Sequence, residues 1–337
     1  MSYKAFQVLD NYTPQQLASI KAYGDKVIQS KSFDSSNMKD SMIFLISQIA
    51  AIDPVLYKRS YVDIKFQDLV PVQTYDEGAG EWVYFSVDGT TLGKFVAGNS
   101  TNLPTVSLEG AKHKVPFHTA GIQVSYHREE MRQMALIGRS VAQEKIEIAI
   151  RGCMEHMQSV AYEGDSEKGI TGLFNNSNVA VIAAPSDITT DGTVARIFCQ
   201  DLMSSVHKNS KGVEIPNTVL LPISVFDIMS NTPGVLGATA LAETELSFFK
   251  KNNIYTQMTG QELKISVLPQ LETAGASGQP RVIAYTNDSY KLAMGVSFMP
   301  RFIEPQPKGL GFDIPGEYKF GGVAVRYPGS MAYGDNA

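Results

Sequence analysis

The sequence predicts an α+β fold, and three observations predict it: aromatic and β-branched runs flanking Asp88-Gly89, one long helical pattern from Arg128 to about Tyr162, and a second body whose helices and strands do not alternate strictly. The chain has 337 residues, 43% of them hydrophobic, which is length for about two domains and a real core.

Taken in order, residues 1–60 read as an extended arm carrying two modest helices. Thr13 caps the first and Pro14 occupies its first turn; the second runs roughly from Met38 to Ala51 and stops at Asp53-Pro54. Few aliphatic residues cluster before residue 40, so this arm must lean on its own body or on a neighbour. Glu81–Val87 and Thr90–Val96 then flank Asp88-Gly89, the strongest short-range signal for a hairpin turn. Polar residues 97–102 lead back to a strand around Val115–Tyr126. A two-stranded ribbon is marginal alone in water, so residues 75–114 must find support beyond their own turn.

The helical stretch places Met131, Met134, Val141, Ile146, Ile148, Cys153, Met154, Met157 and Val160 at apolar positions. About 35 residues at ~1.5 Å each make a spine of ~50 Å, a core or coiled-coil helix whose methionines suit adaptable packing. Gly164 is the expected helix stop, and Gly164, Gly169 and Gly172 let the chain turn back sharply. Val179–Ala184 reads as a strand and 191–208 as an amphipathic helix. Further strands are expected at 217–221, 263–268, 281–285, 296–304 and 318–327, with a helix begun by Pro222 and another over 239–252. Residues 273–278, rich in Gly, Ala and Ser, read as a flexible exposed tip.

The motifs that could carry chemistry each fail their template, which does not by itself exclude an enzyme, since catalytic residues gather in space and not in sequence. Gly164, Gly169 and Thr171 approach a phosphate-binding loop, but Ile170 stands where its lysine belongs, and the stretch ends a helix where the motif must open one. Cys199 and His207 lie eight apart on a helix, ~12 Å, too far to share a zinc whose ligands sit ~2 Å away. His113 and His118 fall on opposite faces of a strand by parity. Ser247 and Lys250 match a Ser-x-x-Lys pattern without its companion motifs, and there is no Gly-x-Ser-x-Gly elbow. Asn99-Ser100-Thr101 is formally a glycosylation acceptor, without meaning unless the chain is exported. No cofactor, metal or catalytic residue is expected, and the features that remain are mechanical.

The formal charge of −5 gives no electrostatic footprint for nucleic acid, so any DNA contact is expected to be weak and local. Without a charged-then-apolar leader or a membrane-length apolar run, the chain is expected to be soluble and not exported. Its two cysteines, Cys153 and Cys199, sit in apolar helical settings and read as buried thiols.

The order of parts resembles that of the tailed-phage major capsid proteins with the Hong Kong 97 fold. The likeness is carried by Ala51-Ile52-Asp53-Pro54-Val55-Leu56-Tyr57, by the ribbon 75–114, by the spine 128–162, and by Gly169-Ile170-Thr171-Gly172-Leu173-Phe174-Asn175 after the spine. The resemblance implies an N-terminal arm (1–60), an E-loop (75–114), a peripheral P domain (61–74, 115–190 and 296–337) and an axial A domain (191–295). It implies a shell protein whose pentamers and hexamers enclose double-stranded DNA, with the A-domain tip near 272–279 pointing at the capsomer axis. The E-loop would lie over an adjacent subunit, anchored by Trp82, Tyr84, Phe85 and Phe95. Lys94 is either a crosslinking lysine, as in the namesake, or a solubilising edge charge.

Asp165, Glu167 and Lys168 are either salt links between subunits or solvated loop charges. Only some sixty residues precede the shell domain, so the scaffold is expected to be a separate protein; a portal and decoration proteins are further expected partners. Assembly is expected in the host cytoplasm, ending in the virion. The alternatives are an encapsulin-type nanocompartment shell and, more remotely, a soluble hydrolase.

Overall fold

In the computed structural model, residues 61–90, 107–130, 141–236 and 239–336 are described. The arm expected over 1–60, and ribbon residues Lys94 and Phe95, lie outside them. From Asp63 onward the chain is one compact unit. Its first half comprises helix α1 (Phe66–Leu69), strands β1 (Val72–Thr74), β2 (Glu81–Thr90), β3 (Ser107–Pro116) and β4 (His118–His127), and the spine α2 (Val141–Glu163). There follow β5 (Ala180–Ala183), α3 (Gly192–Asn209), β6 (Thr218–Leu221), α4 (Ile223–Asn231), β7 (Pro233–Leu236), β8 (Thr239–Thr244), α5 (Glu245–Lys251), α6 (Ile254–Thr259) and β9 (Lys264–Val267). The last strands are β10 (Arg281–Tyr285), β11 (Leu292–Phe302), β12 (Gln306–Lys308), β13 (Gly311–Val325) and β14 (Met331–Asp335).

One sheet has the order β1-β11-β13-β12, with β4 also paired along β13. The spine lies on it because Cys153, Met157, Val160 and Ala161 recur at helical spacing and are buried with Tyr318 and Phe320 of β13. Larger side chains such as Met157 and Val160 each contribute ~1.5–3 kcal/mol by leaving water, so a charge at Met157 would undo the docking.

The second sheet has the order β5-β14-β10-β6-β9. Its central strands β14, β10 and β6 are buried at every position because both faces are covered, and the charged ends Arg281 and Asp335 pair with each other. Leu220, Ile283, Tyr285 and Tyr333 face the core shared with the spine, while Val219, Val282, Ala284 and Ala332 face the core built with α3, α4 and α5. Asp191 opens α3 by accepting a hydrogen bond from the Thr193 amide, as an N-cap does.

Three expectations are corrected. Asp88-Gly89 does not turn: β2 continues through it, pairing Asp88 with Glu109 and Gly89 with Leu108. A tight hairpin turn there needs positive φ, which Gly89 does not adopt, and a ten-pair ladder with β3 outweighs the local preference. Residues 239–244 are not helical; β8 pairs with β7, and Thr244 then caps α5 by accepting from the Ser247 amide. The expected division of the chain also fails at two strands. β5, placed with the spine body, and β14, placed with the final strands, both belong to the second sheet, β14 lying between β5 and β10.

Candidate functional site

The ribbon β2–β3 pairs with no other strand among the described residues, and its ends behave differently. At its root, Trp82 is 4% exposed and packs in a small cluster with Phe117, Ala293 and Ala324, its ring 5.0 Å from that of Tyr75. Gly295 forms the floor; a Cβ there would stand 2.9 Å from the Trp82 ring. Tyr84 shares this face, two residues on, and stacks on His113 across the ribbon at 4.9 Å. Burial pushes the Tyr84 phenol above its ordinary range, opposed by the nearby Arg326 guanidinium. Farther out the apolar side chains are bare: Phe85 is 71% exposed and Leu108 72%, with Val87 exposed beside them.

The expected apolar anchors therefore divide. Trp82 is spent inside its own subunit and leaves no free face for a neighbour, because the root must be covered where the ribbon leaves the body. Tyr84 is half-buried beside it. Phe85 is presented outward. Val87 and Leu108 join it without having been singled out in the sequence; the signal available was the alternation along β2 together with the true register of β3, which the presumed turn at Asp88-Gly89 concealed.

The segment after the spine is a backbone joint. Gly164 and Gly169 have φ of +74° and +67°, in the left-handed region glycine tolerates. The Gly164 amide donates to the Val160 carbonyl at 2.9 Å and ends the helix. Asp165 and Ile170 exchange amide-to-carbonyl bonds in both directions, at 2.9 and 2.8 Å. Gly172 packs against the Tyr162 carbonyl and Gly164 amide with no room for a side chain. The next residues thread onto the body, where the Val323 amide donates to the Thr171 carbonyl at 3.0 Å. Asp165 and Lys168 are brought together within the chain: their ion pair spans 3.1 Å, and the Asp165 carboxylate also accepts from the Glu167 and Lys168 amides. The Lys168 hydrogen bond holds the Asp165 carboxyl below its usual range. Glu167 is exposed.

Residues 273–278, expected as a free tip, are tied down. The Gly275 amide donates to the Gln279 carbonyl at 2.8 Å and the Ala276 amide to the Asp335 carboxylate at 3.1 Å. Asp335 is itself gripped by the buried Arg281, which also donates to the Phe174 carbonyl.

Polar side chains that could carry chemistry are engaged within the fold. The Ser247 hydroxyl donates to Glu243, not to Lys250. His156 bonds the Tyr318 hydroxyl at 2.7 Å, and burial lowers its pKa. Among the described residues no group of three His, Cys, Asp or Glu could hold a metal, and no helix is long and apolar enough to cross a membrane. Burial pushes the Cys199 thiol up to about 12.

A spine helix laid on one sheet, a second sheet coated by helices, and a ribbon extending beyond both define a subunit of a viral shell with the Hong Kong 97 fold. The family model "Major capsid protein" matches residues 93–336, and the chain belongs to that family. The same fold occurs in the capsid of Myoviridae phage XM1, at a TM-score of 0.72 and 12% identity, covering 86% of this chain and 98% of that one. Chains of Mycobacterium phages Ogopogo and Adephagia match at TM-scores of 0.59 and 0.58, with 12% and 9% identity. They cover 87% and 86% of this chain and 98% and 97% of their own. At such identities the likeness is one of fold. No curated protein sequence matches the chain. The protein is a structural phage capsid protein that self-assembles into a shell.

Proposed function

We propose that residues 75–114 are the E-loop of this capsid subunit and lie over an adjacent subunit, with Phe85, Val87 and Leu108 as the apolar contacts. The observation that carries the reading is the ribbon's outer part, where Phe85 and Leu108 are 71% and 72% exposed; side chains of this size on an unsupported two-stranded ribbon require a covering surface. The peripheral domain then comprises 61–74, 115–179 and 292–327, and the axial domain 180–291 with 328–336, because β5 and β14 pair in the second sheet. The arm 1–60 reaches a second neighbour. Glu167, at the exposed turn after the spine, is the loop charge left for a salt link between subunits, since Asp165 and Lys168 pair with each other.

Pentamers and hexamers of this subunit form the icosahedral shell, assembled in the host cytoplasm on a separate scaffolding protein around a portal, with decoration proteins as further partners. Packaged DNA touches the shell weakly and without sequence preference, in keeping with the net negative charge. The role is structural, without catalysis. The test is Phe85→Asp combined with Leu108→Asp. Subunits with wild-type circular dichroism that no longer close into shells by negative-stain microscopy are expected; wild-type particle yield would overturn the assignment.

A further inference from the structure

Arg326 immediately follows β13 and reaches the root of the ribbon. Its guanidinium carbon lies 5.0 Å from the Trp82 ring centre and 5.8 Å from that of Tyr84. One terminal nitrogen donates to the Gln73 side-chain oxygen at 2.6 Å, where the Tyr75 hydroxyl also donates, at 2.9 Å. The other donates to the Ser289 carbonyl at 2.7 Å, and the Arg326 amide donates to the Lys291 carbonyl, also at 2.7 Å. Lys291 in turn pairs with Glu214, a buried carboxylate in the loop after α3. One side chain thus faces the ribbon's aromatic root, while its hydrogen bonds run to Gln73 on β1 and to Ser289 in the loop joining the two sheets.

The ribbon has a second tether, Arg301, which pairs with Glu77 and Glu317 at 2.9 Å each. Arg301 and Glu77 are exposed and Glu317 is half-buried, so water and salt weaken these pairs. A half-buried guanidinium over a buried indole is screened far less. Beyond Tyr84 the ribbon's outer side chains are bare, so its angle is fixed at the root.

We propose that Arg326 is a latch: it holds the ribbon at a set angle to the body and couples that angle to the Ser289–Lys291 loop and, through Lys291–Glu214, to the second sheet. Releasing it frees the ribbon as a unit while the body stays folded. The inference concerns the single subunit and stands independently of what the ribbon covers.

Trp82 is the only tryptophan in the chain, so its fluorescence reports on the latch alone. The experiment uses the full chain as unassembled subunits, comparing Arg326→Met, which keeps an apolar stem but no charge, with Arg326→Gln, Glu214→Gln and the Arg326→Met/Glu214→Gln double variant. Acrylamide quenching of Trp82 and far-UV circular dichroism are read together. Loss of one desolvated cation–π contact corresponds to roughly a tenfold rise in the released population, so quenching should rise clearly in both Arg326 variants with the far-UV spectrum retained. Glu214→Gln should raise quenching when Arg326 is present and add nothing in Arg326→Met. Unchanged quenching in the folded Arg326 variants would overturn the latch. So would unfolding of the whole subunit by both, which would make Arg326 a core residue, and additive effects of Glu214→Gln would overturn the coupling.

Discussion

Trp82→Ala distinguishes a ring that holds its own subunit together from one that holds two subunits together. The indole is 4% exposed, 5.0 Å from the Tyr75 ring, beneath the Arg326 guanidinium and above Gly295. Truncating a buried tryptophan to alanine costs ~3–5 kcal/mol, from lost transfer energy and the cavity left behind. The upper half of that range is expected here, because the cation–π contact is lost with the ring and adds ~0.5–2 kcal/mol. Against a total stability of ~5–15 kcal/mol the loss is large. At a urea slope of ~3 kcal/mol/M the unfolding midpoint should fall by about 1 M or more. Far-UV circular dichroism of unassembled subunits is the assay, since the variant has no tryptophan fluorescence to follow. An unchanged midpoint together with failed assembly would refute the reasoning, because it would place the ring's work between subunits.

Other substitutions test the joint, the buried ion pair and the thiols. Gly164→Ala forces a side chain into left-handed backbone against the Ile170 carbonyl and Gly172 amide, whereas Gly169→Ala meets open space. The second should cost ~1–2 kcal/mol and the first distinctly more, read as thermal midpoints. Asp335→Asn breaks the buried pair with Arg281 and should cost ~3–5 kcal/mol in urea unfolding, by stranding the guanidinium. Burial raises the Asp335 pKa, but the Arg281 and Ala276 hydrogen bonds more than offset it, so the folded pKa lies below the unfolded one. Its stabilisation is therefore present above the unfolded pKa, about 3.9, and is lost as pH falls through the folded value; wild type should lose stability there relative to Asp335→Asn in pH-dependent unfolding. Neither Cys153 nor Cys199 should react with a thiol reagent at pH 8 in the folded subunit, and both should react in denaturant.

How much was legible depends on where the information resides. Gly164 was readable as a stop because a glycine directly after a helical pattern is a local signal, and Arg281–Tyr285 because a strand covered on both faces carries a continuous apolar run, here Val282–Tyr285. Asp88-Gly89 misled because its turn preference is local while the ladder that overrides it is not. Trp82 misled in another way: alternation reveals that a ribbon has two faces, but not how far along it the body ends. Arg326 carries no local signal at all, since its role comes from Gln73, Trp82 and Ser289, which only the fold assembles around it.

β14 shows why linear boundaries fail for this subunit. Met331–Asp335 has no β-branched residue and contains Gly334, so propensity argues against a strand. Its neighbours require those residues: the Phe198 ring of α3 packs where a side chain on Gly334 would stand, while the Tyr333 hydroxyl on the opposite face donates to the Leu173 carbonyl. The strand closes the gap between β5 and β10, which are about a hundred residues apart in sequence and pair only through it. Until residues 331–335 are in place, β5 and one side of β10 expose unpaired backbone, the kind of edge that recruits other chains. Contacts of such long sequence separation are slow to form, because loop closure precedes the gain from pairing. For a protein that associates with many copies of itself, correct assembly therefore requires that closure of the second sheet precede encounter with other subunits.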